Sequence, residues 1–185
     1  MTGSTHIAGG LLAAEILLAV LKPDIGKTAQ TLLLTGAAVG SIMPDIDNGT
    51  SKISNKSLFT KLFGVTAEAV LGHRGIIHTP LTGALLSLLM YWLASYSVSA
   101  GSMSSYVQML LPIFFGAGYL SHLVLDSLNP AGIKWFWPFK KRRYRMARIQ
   151  PRSAKEWLIL TALVIADVAM AMDVLKTSIN FNDFF

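Results

Sequence analysis

Apolar residues form five long runs along the chain, separated by short polar or charged segments. The runs consist mainly of Leu, Ala, Val, Ile, Met and Gly, with almost no Lys or Arg. They cover residues 7–21, 29–43, 80–98, 107–128 and 157–175. Runs of this kind predict helices that cross a lipid bilayer. The first two have only 15 residues each, fewer than the roughly 20 of a full crossing, so tilted or half-buried segments are the alternative for them.

The composition agrees with a membrane-embedded chain. Of the 185 residues, 52% are hydrophobic and 14% are charged, and the mean hydropathy is +0.51, which is too apolar for an ordinary soluble domain. No Lys or Arg precedes the first run, which argues against a cleaved signal peptide. Cys is absent, which excludes disulfides and thiolate metal sites. We therefore expect an all-α, polytopic membrane bundle of about five spans, forming one domain over residues 1–185.

Basic residues predict the orientation of this bundle. Nine of the 16 Lys and Arg residues lie within residues 134–155, a stretch without Asp or Glu. The positive-inside rule places this basic loop, residues 134–156, in the cytoplasm. Counting spans back from it places the N-terminus and residues 44–79 on the same side. Lys22 and Lys27 would then lie outside, against the rule.

The same basic loop suggests a partner. Arg and Lys near aromatic side chains can bind nucleic acid phosphates, but a basic cytoplasmic loop is what membrane insertion itself predicts. Each basic residue near an anionic bilayer surface contributes about 1 kcal/mol of attraction. We therefore favour anionic lipid over nucleic acid as the partner of this loop.

Seven His and Asp side chains are predicted to share one face of the membrane. An odd-numbered span starts, and an even-numbered span ends, on the same side, so residues at those ends meet if all four spans cross. All four histidines of the chain belong to this set. The set comprises His6, Asp45, Asp47, His73, His78, His122 and Asp126.

The spacing along the chain gives further evidence for ion binding by two pairs of residues in this set. His122 and Asp126 are four residues apart, so a helix presents both from one stripe, where they can bind a common ion. A structural His–Asp hydrogen bond between helices is the alternative. Asp45 and Asp47 follow a helix C-terminus, where the helix dipole favours a cation. They could also be ordinary turn residues.

The segment 72–80 predicts a loop that ends at a helix start, with Thr79 as the N-cap and Pro80 at the first helical position. His73 and His78 are five residues apart and would point to different faces of a helix, so joint ligation requires the loop. Arg74 offers a planar donor group for phosphate or carboxylate. Glu15 and Asp167 lie inside predicted spans and are left outside the site.

Five segments of the chain resemble the YdjM-like family of membrane-bound metal-dependent hydrolases. They occur in the family's order and extend over roughly three quarters of the chain. The segments are 5–6 (Thr-His), 43–47 (Met-Pro-Asp-Ile-Asp), 73–79 (His-Arg-Gly-Ile-Ile-His-Thr), 118–126 (Gly-Tyr-Leu-Ser-His-Leu-Val-Leu-Asp) and 137–139 (Trp-Pro-Phe). The resemblance implies a metal-dependent hydrolase of the bacterial inner membrane. A remoter likeness to the zinc phospholipase C and nuclease P1 group implies two or three zinc ions that cut phosphoesters, bound by His6, Asp45, His73 or His78, His122 and Asp126.

These observations predict a hydrolase that cleaves a phosphoester in a lipid or lipid phosphate, with the metal centre at the cytoplasmic face. Imidazole and carboxylate ligands without thiolate suit zinc first, and manganese or iron as alternatives; we expect one to three ions. Arg74 would bind the substrate phosphate, and Asp45 or Asp47 would bridge metals or accept a proton from water. The alternatives are a non-catalytic metal-binding sensor, carrier or scaffold, and a structural partner recruited through the basic loop.

Overall fold

The computed structural model describes residues 1–47 and 76–178, except for the side chains of residues 46, 47 and 173–178. These residues form five α-helices and no strand, which confirms the predicted all-α fold. A 3₁₀ turn, Met43–Asp47, follows the second helix, and a single β-bridge joins Ile133 to Tyr144. The helices are α1 (Gly3–Leu21), α2 (Lys27–Ile42), α3 (Pro80–Ser99), α4 (Ser105–Ser127) and α5 (Ala154–Ser178).

Three helices, α1, α3 and α4, are long and apolar enough to cross a membrane. The predicted second and fifth runs also form helices, α2 and α5, but neither is among these three within the part of the chain described. Helix α2 has only 16 residues, which at 1.5 Å per residue is about 24 Å, short of the roughly 30 Å hydrocarbon core. The full crossing of α2 and α5 therefore stays a prediction.

The sequence explains where two of the helices begin. Helix α3 begins where the Thr79 side chain accepts a hydrogen bond from the Thr82 N–H and Pro80 occupies the first turn, as predicted. Ser104 caps α4 in the same way, through the Val107 N–H. Helix α1 begins at Gly3, before the first apolar run, so His6 lies within the helix and is fixed by it. The helix extends further because polar residues at a helix start cost little when they are capped or packed.

Helix α4 is the centre of the bundle and packs against α1, α2 and α3. Its buried side chains include Phe114, Phe115 and Tyr119, which form the core with residues of α2 and α3. Small residues allow α2 and α4 to approach closely, as in other membrane bundles. A Cβ added at Gly118 would overlap the carbonyl oxygen of Ala37. This contact brings the end of α4 against the end of α2.

The basic loop folds back on the C-terminal end of α4. The Met146 N–H donates to the Ser127 carbonyl at 2.7 Å, and Ile133 and Tyr144 exchange hydrogen bonds at 2.9 and 2.8 Å. The Trp135 indole N–H donates to the Ser127 hydroxyl at 2.8 Å. These bonds attach the loop to the helix that carries His122 and Asp126.

Candidate metal centre

Five of the seven predicted side chains meet at one end of the bundle. His6 comes from α1, Asp45 from the 3₁₀ turn after α2, and His78 from the segment just before α3. His122 and Asp126 come from the last two turns of α4. His6, His122 and Asp126 are completely buried, and His78 is 2% exposed. The structure thus brings together five of the seven residues that the sequence assigned to one face, and their position relative to a membrane stays a prediction.

The hydrogen bonding of His122 determines what this ring can do. Its Nδ1 lies 2.7 Å from the Ser41 carbonyl oxygen, which can only accept, so Nδ1 carries the proton. Nε2 of the neutral ring then carries a lone pair. It is buried and has no hydrogen-bond partner among the described residues. A histidine held in this way through its other nitrogen is typical of metal ligands.

Two carboxylates face that lone pair. The Nε2 atom of His122 lies 3.9 Å from Asp45 Oδ1 and 3.8 Å from Asp126 Oδ2. These separations are too long for hydrogen bonds. Two ligands of one tetrahedral zinc ion, each bound at about 2.0–2.2 Å, lie about 3.4 Å apart. The spacing is therefore close to that of atoms sharing a metal ion.

The other two histidines extend the cluster. The His6 ring stacks on His122, with centroids 3.7 Å apart, and its Nε2 lies 3.3 Å from Asp126 Oδ1. His78 meets His122 edge to face at 5.4 Å, and its Nε2 lies 3.8 Å from Asp45 Oδ1. Two groups could hold a metal ion, with ligand atoms within 4.8 Å of one another: His6, Asp45 and His122, and His78, His122 and Asp126. Because both include His122, they overlap in one centre.

Asp45 is the most accessible of the five, with 25% of its side chain exposed. Burial alone raises the pKa of its carboxyl group, but the surrounding imidazoles of His78, His122 and His6 lower it from 3.8 to about 2. Asp45 is therefore ionised at neutral pH and supplies the negative charge that a cation site requires.

A sequence model of a protein family described as "YdjM inner membrane protein" matches residues 1–181. The chain belongs to the YdjM family. It is 28% identical to the protein named YvsG of Bacillus subtilis, over 90% of this chain and 91% of that protein. It is 26% identical to the inner membrane protein YdjM of Escherichia coli, over 92% and 83% of the two chains. No solved structure matches the chain.

Membership of the YdjM family confirms the predicted family and the inner membrane as the location of its named members. The names of these relatives state no activity, substrate or cofactor. The remoter likeness to zinc phospholipase C and nuclease P1 gains nothing from these comparisons and stays a prediction.

Three predicted site residues of this YdjM-family chain lie outside the described part. They are His73, Arg74 and the side chain of Asp47. Their ligand and substrate-binding roles stay predictions. Glu15 and Asp167, which the sequence left outside the site, are members of neither group that could hold a metal.

The sequence analysis did not predict several groups that contact the residues of the centre. The Tyr119 hydroxyl donates to the Ile77 carbonyl, next to His78. Asp126 Oδ1 accepts from the Asn129 amide at 2.6 Å and lies 2.8 Å from the amino group of Met1. Only Asn129, three residues after Asp126, gives a local sequence signal.

Glu156 connects the helix that carries His6 to α5. Its carboxylate accepts hydrogen bonds from the N–H groups of Thr2 and Arg152 and, at 3.1 Å, from the Thr5 hydroxyl. Glu156 is 2% exposed. Since Thr5 immediately precedes His6, this link helps to fix the position of His6.

Proposed function

We propose that this chain binds a divalent metal ion through His6, Asp45, His78, His122 and Asp126 and hydrolyses a phosphoester in a lipid or lipid phosphate. The observation that carries the metal site is the buried Nε2 of His122. The Ser41 carbonyl fixes its lone pair, and that lone pair faces two carboxylates. With no metal ion between these three atoms, the lone pair of His122 would oppose two carboxylates in a largely buried site, which is unfavourable.

The donor set supports the choice of metal. Imidazole and carboxylate ligands suit zinc first, and manganese or iron as alternatives. A bound zinc ion would lower the pKa of a water to about 7 and would stabilise charge on a phosphoryl oxygen. The two described groups share His122 and account for one such centre. A second or third ion would need His73 or Asp47.

The chain's own residues have two proposed roles, as metal ligands and as a general base. The completely buried His6, His122 and Asp126 hold their atoms in fixed positions, because α1 and α4 leave them no space to move. Asp45 is partly exposed and ionised, so it is placed to accept a proton from water or to hold the metal. Arg74 is the proposed clamp for the substrate phosphate, and Asp47 is a second candidate base.

The expected substrate follows from the location of the cluster. It lies at the ends of helices that are apolar enough to span a membrane, near the depth of lipid headgroups, and a phosphoester would approach it from the side of the partly exposed Asp45. We place this face in the cytoplasm, with the N-terminus, because the basic loop packs at the same end of α4. The basic loop attracts anionic lipid to the same surface.

Metal analysis of the purified protein tests the site. Wild type should carry stoichiometric metal after incubation with zinc and desalting, whereas His122→Ala and Asp126→Asn should lose most of it. Asp24→Asn, an exposed carboxylate in the link between α1 and α2, is the matched control and should keep wild-type content. Metal-free wild type, or full metal in His122→Ala, would overturn the site.

A turnover screen tests the chemistry separately. Metal-loaded protein should release phosphate or alcohol from phosphatidic acid, a lipid pyrophosphate or a phosphodiester lipid, and a chelator should stop the release. Asp45→Asn should lower kcat by about 10²-fold or more if Asp45 is the base. Metal binding without any metal-dependent turnover would support the non-catalytic alternative. The almost complete burial of four of the five ligands is the observation that favours that alternative, since catalytic metal sites keep an open position.

A further inference from the structure

The face of α4 opposite the metal cluster carries a continuous stripe that the proposed hydrolysis does not use. Residues spaced three or four apart along α4 share one face. Ile113, Leu120 and Val124 lie on it and are 46–50% exposed. His122 is two residues from both Leu120 and Val124, so its side chain points about 200° away from theirs. The stripe is therefore separated from the metal centre by the helix itself.

The lower part of the stripe forms the floor of an apolar groove of about 490 Å³. Leu17 of α1 forms one wall, and Ala84 and Ser87 of α3 form the other, with Gly116 and Leu120 in the floor. All three helices are apolar enough to lie within a bilayer. Such a groove between membrane helices opens onto lipid acyl chains rather than onto water.

The upper part of the stripe forms one wall of a second pocket, of about 440 Å³, beneath the basic loop. Val124 and Ser127 contribute from α4, and the loop supplies Trp135, Tyr144 and Arg145. Leu120 of the groove and Val124 of this pocket are one helical turn apart, so the two cavities follow each other along α4.

Three cations surround the upper pocket. Arg145 lines it and donates to the Pro130 carbonyl at 3.2 Å. The Arg142 guanidinium lies 5.6 Å from the centroid of the Tyr144 ring, and the Lys140 ammonium lies 5.9 Å from that of Phe136. The loop from residue 134 to 155 contains no acidic residue. The pocket thus combines apolar rings with positive charge.

We infer that this stripe binds one anionic phospholipid, with an acyl chain in the groove and the phosphate at Arg145. The length agrees with such a ligand. From Ile113 to Ser127, α4 rises about 21 Å, and one leaflet with its headgroups is about 20–22 Å deep. The charge selects an anionic headgroup over a neutral one, as expected at the cytoplasmic leaflet. This lipid is held on the opposite side of α4 from the metal centre and does not depend on hydrolysis.

Photo-crosslinking in nanodiscs tests this inference. The probes are phosphatidylglycerol and phosphatidylcholine that carry the same diazirine in an acyl chain. Phosphatidylglycerol should label α3 and α4 at the groove about fivefold more than phosphatidylcholine does. Arg145→Gln should remove this preference, whereas Arg148→Gln, an exposed arginine of the same loop that does not line the pocket, should retain it.

A second pair of variants tests the groove. Ala84→Trp should reduce labelling there about tenfold, as expected when the indole displaces about two methylene groups. Ala162→Trp places the same side chain at an exposed position of α5, away from the groove, and should leave labelling unchanged. All four variants should keep the wild-type metal content, which shows that they fold.

Three results would overturn the inference. Equal labelling by both probes would remove headgroup selection. An equal loss of the phosphatidylglycerol preference in Arg145→Gln and Arg148→Gln would show that diffuse surface charge, and not the pocket, causes the preference. Cross-links between two copies of the chain through the groove, lost in Ala84→Trp, would make a second copy the occupant instead of a lipid.

Discussion

Gly118 sets the distance between α2 and α4 one turn before the hydrogen bond that orients His122. In Gly118→Ala, the new Cβ would overlap the Ala37 carbonyl oxygen and lie 2.7 Å from its carbon. Carbon atoms in contact prefer about 3.5–4.0 Å, so the helices must separate by about 1 Å. One turn further, Nδ1 of His122 would move from 2.7 Å to about 3.7 Å from the Ser41 carbonyl, too far for a hydrogen bond.

The expected result is weaker metal binding without any change to a ligand. Loss of such an orienting partner typically lowers metal affinity by about 10–100-fold, and overpacking lowers the free energy of unfolding by about 1–3 kcal/mol. Competition with a chromophoric chelator measures the affinity of each purified variant. Gly116→Ala is the control, because its Cβ would lie at ordinary contact distance from the Ser87 Cβ, and the closer Ser87 hydroxyl can rotate away. Wild-type affinity in Gly118→Ala would refute the argument that this close approach positions His122.

Three other perturbations give separate checks. Tyr119→Phe removes the donor to the Ile77 carbonyl and should lower the unfolding free energy by about 1 kcal/mol and the metal affinity by about tenfold, measured by thermal unfolding and chelator competition. Glu156→Gln should lower the free energy of unfolding by about 1–3 kcal/mol. Burial raises the pKa of Glu156, but the hydrogen bonds from two backbone N–H groups and Thr5 lower it by more. The stability that ionised Glu156 contributes is therefore complete above its ordinary pKa of 4.5 and is lost as the pH falls. Between pH 7 and low pH, the unfolding free energy of Glu156→Gln should thus fall less than that of wild type. An equal fall in both proteins would contradict the proposed link. Metal removal from wild type should lower stability by about 2.7 kcal/mol relative to metal at 100 times its Kd, whereas His122→Ala should show no difference.

Local spacing was the most informative part of the sequence. The i, i+4 relation of His122 and Asp126 and the Thr79–Pro80 helix start depend only on helix geometry, and the structure contains both. The grouping of His6 and Asp45 with them followed from the order of apolar runs. That argument required all four of the first spans to cross, which for α2 stays a prediction.

Other parts of the site could not be predicted from spacing. The Ser41 carbonyl is a backbone group, which no residue pattern reveals, and it meets His122 only because glycines let two helices touch. The bond from Thr5 to Glu156 joins residues 151 positions apart, and depends on the packing of α5 against α1. Hydropathy also cannot decide whether α2 crosses the membrane, because an apolar run predicts burial, and a short helix inside a bundle is buried as well as a full span is.

The bond between Thr5 and Glu156 implies an order of biosynthesis. Thr5, next to His6, is synthesised 151 residues before Glu156, and the Glu156 carboxylate that fixes its helix belongs to α5. The proposed ligands come from elements that precede α5, but the hydrogen bond that fixes the helix of His6 forms only when α5 has docked against α1. The metal is thus expected to enter a finished protein, after insertion, as the final step of its maturation.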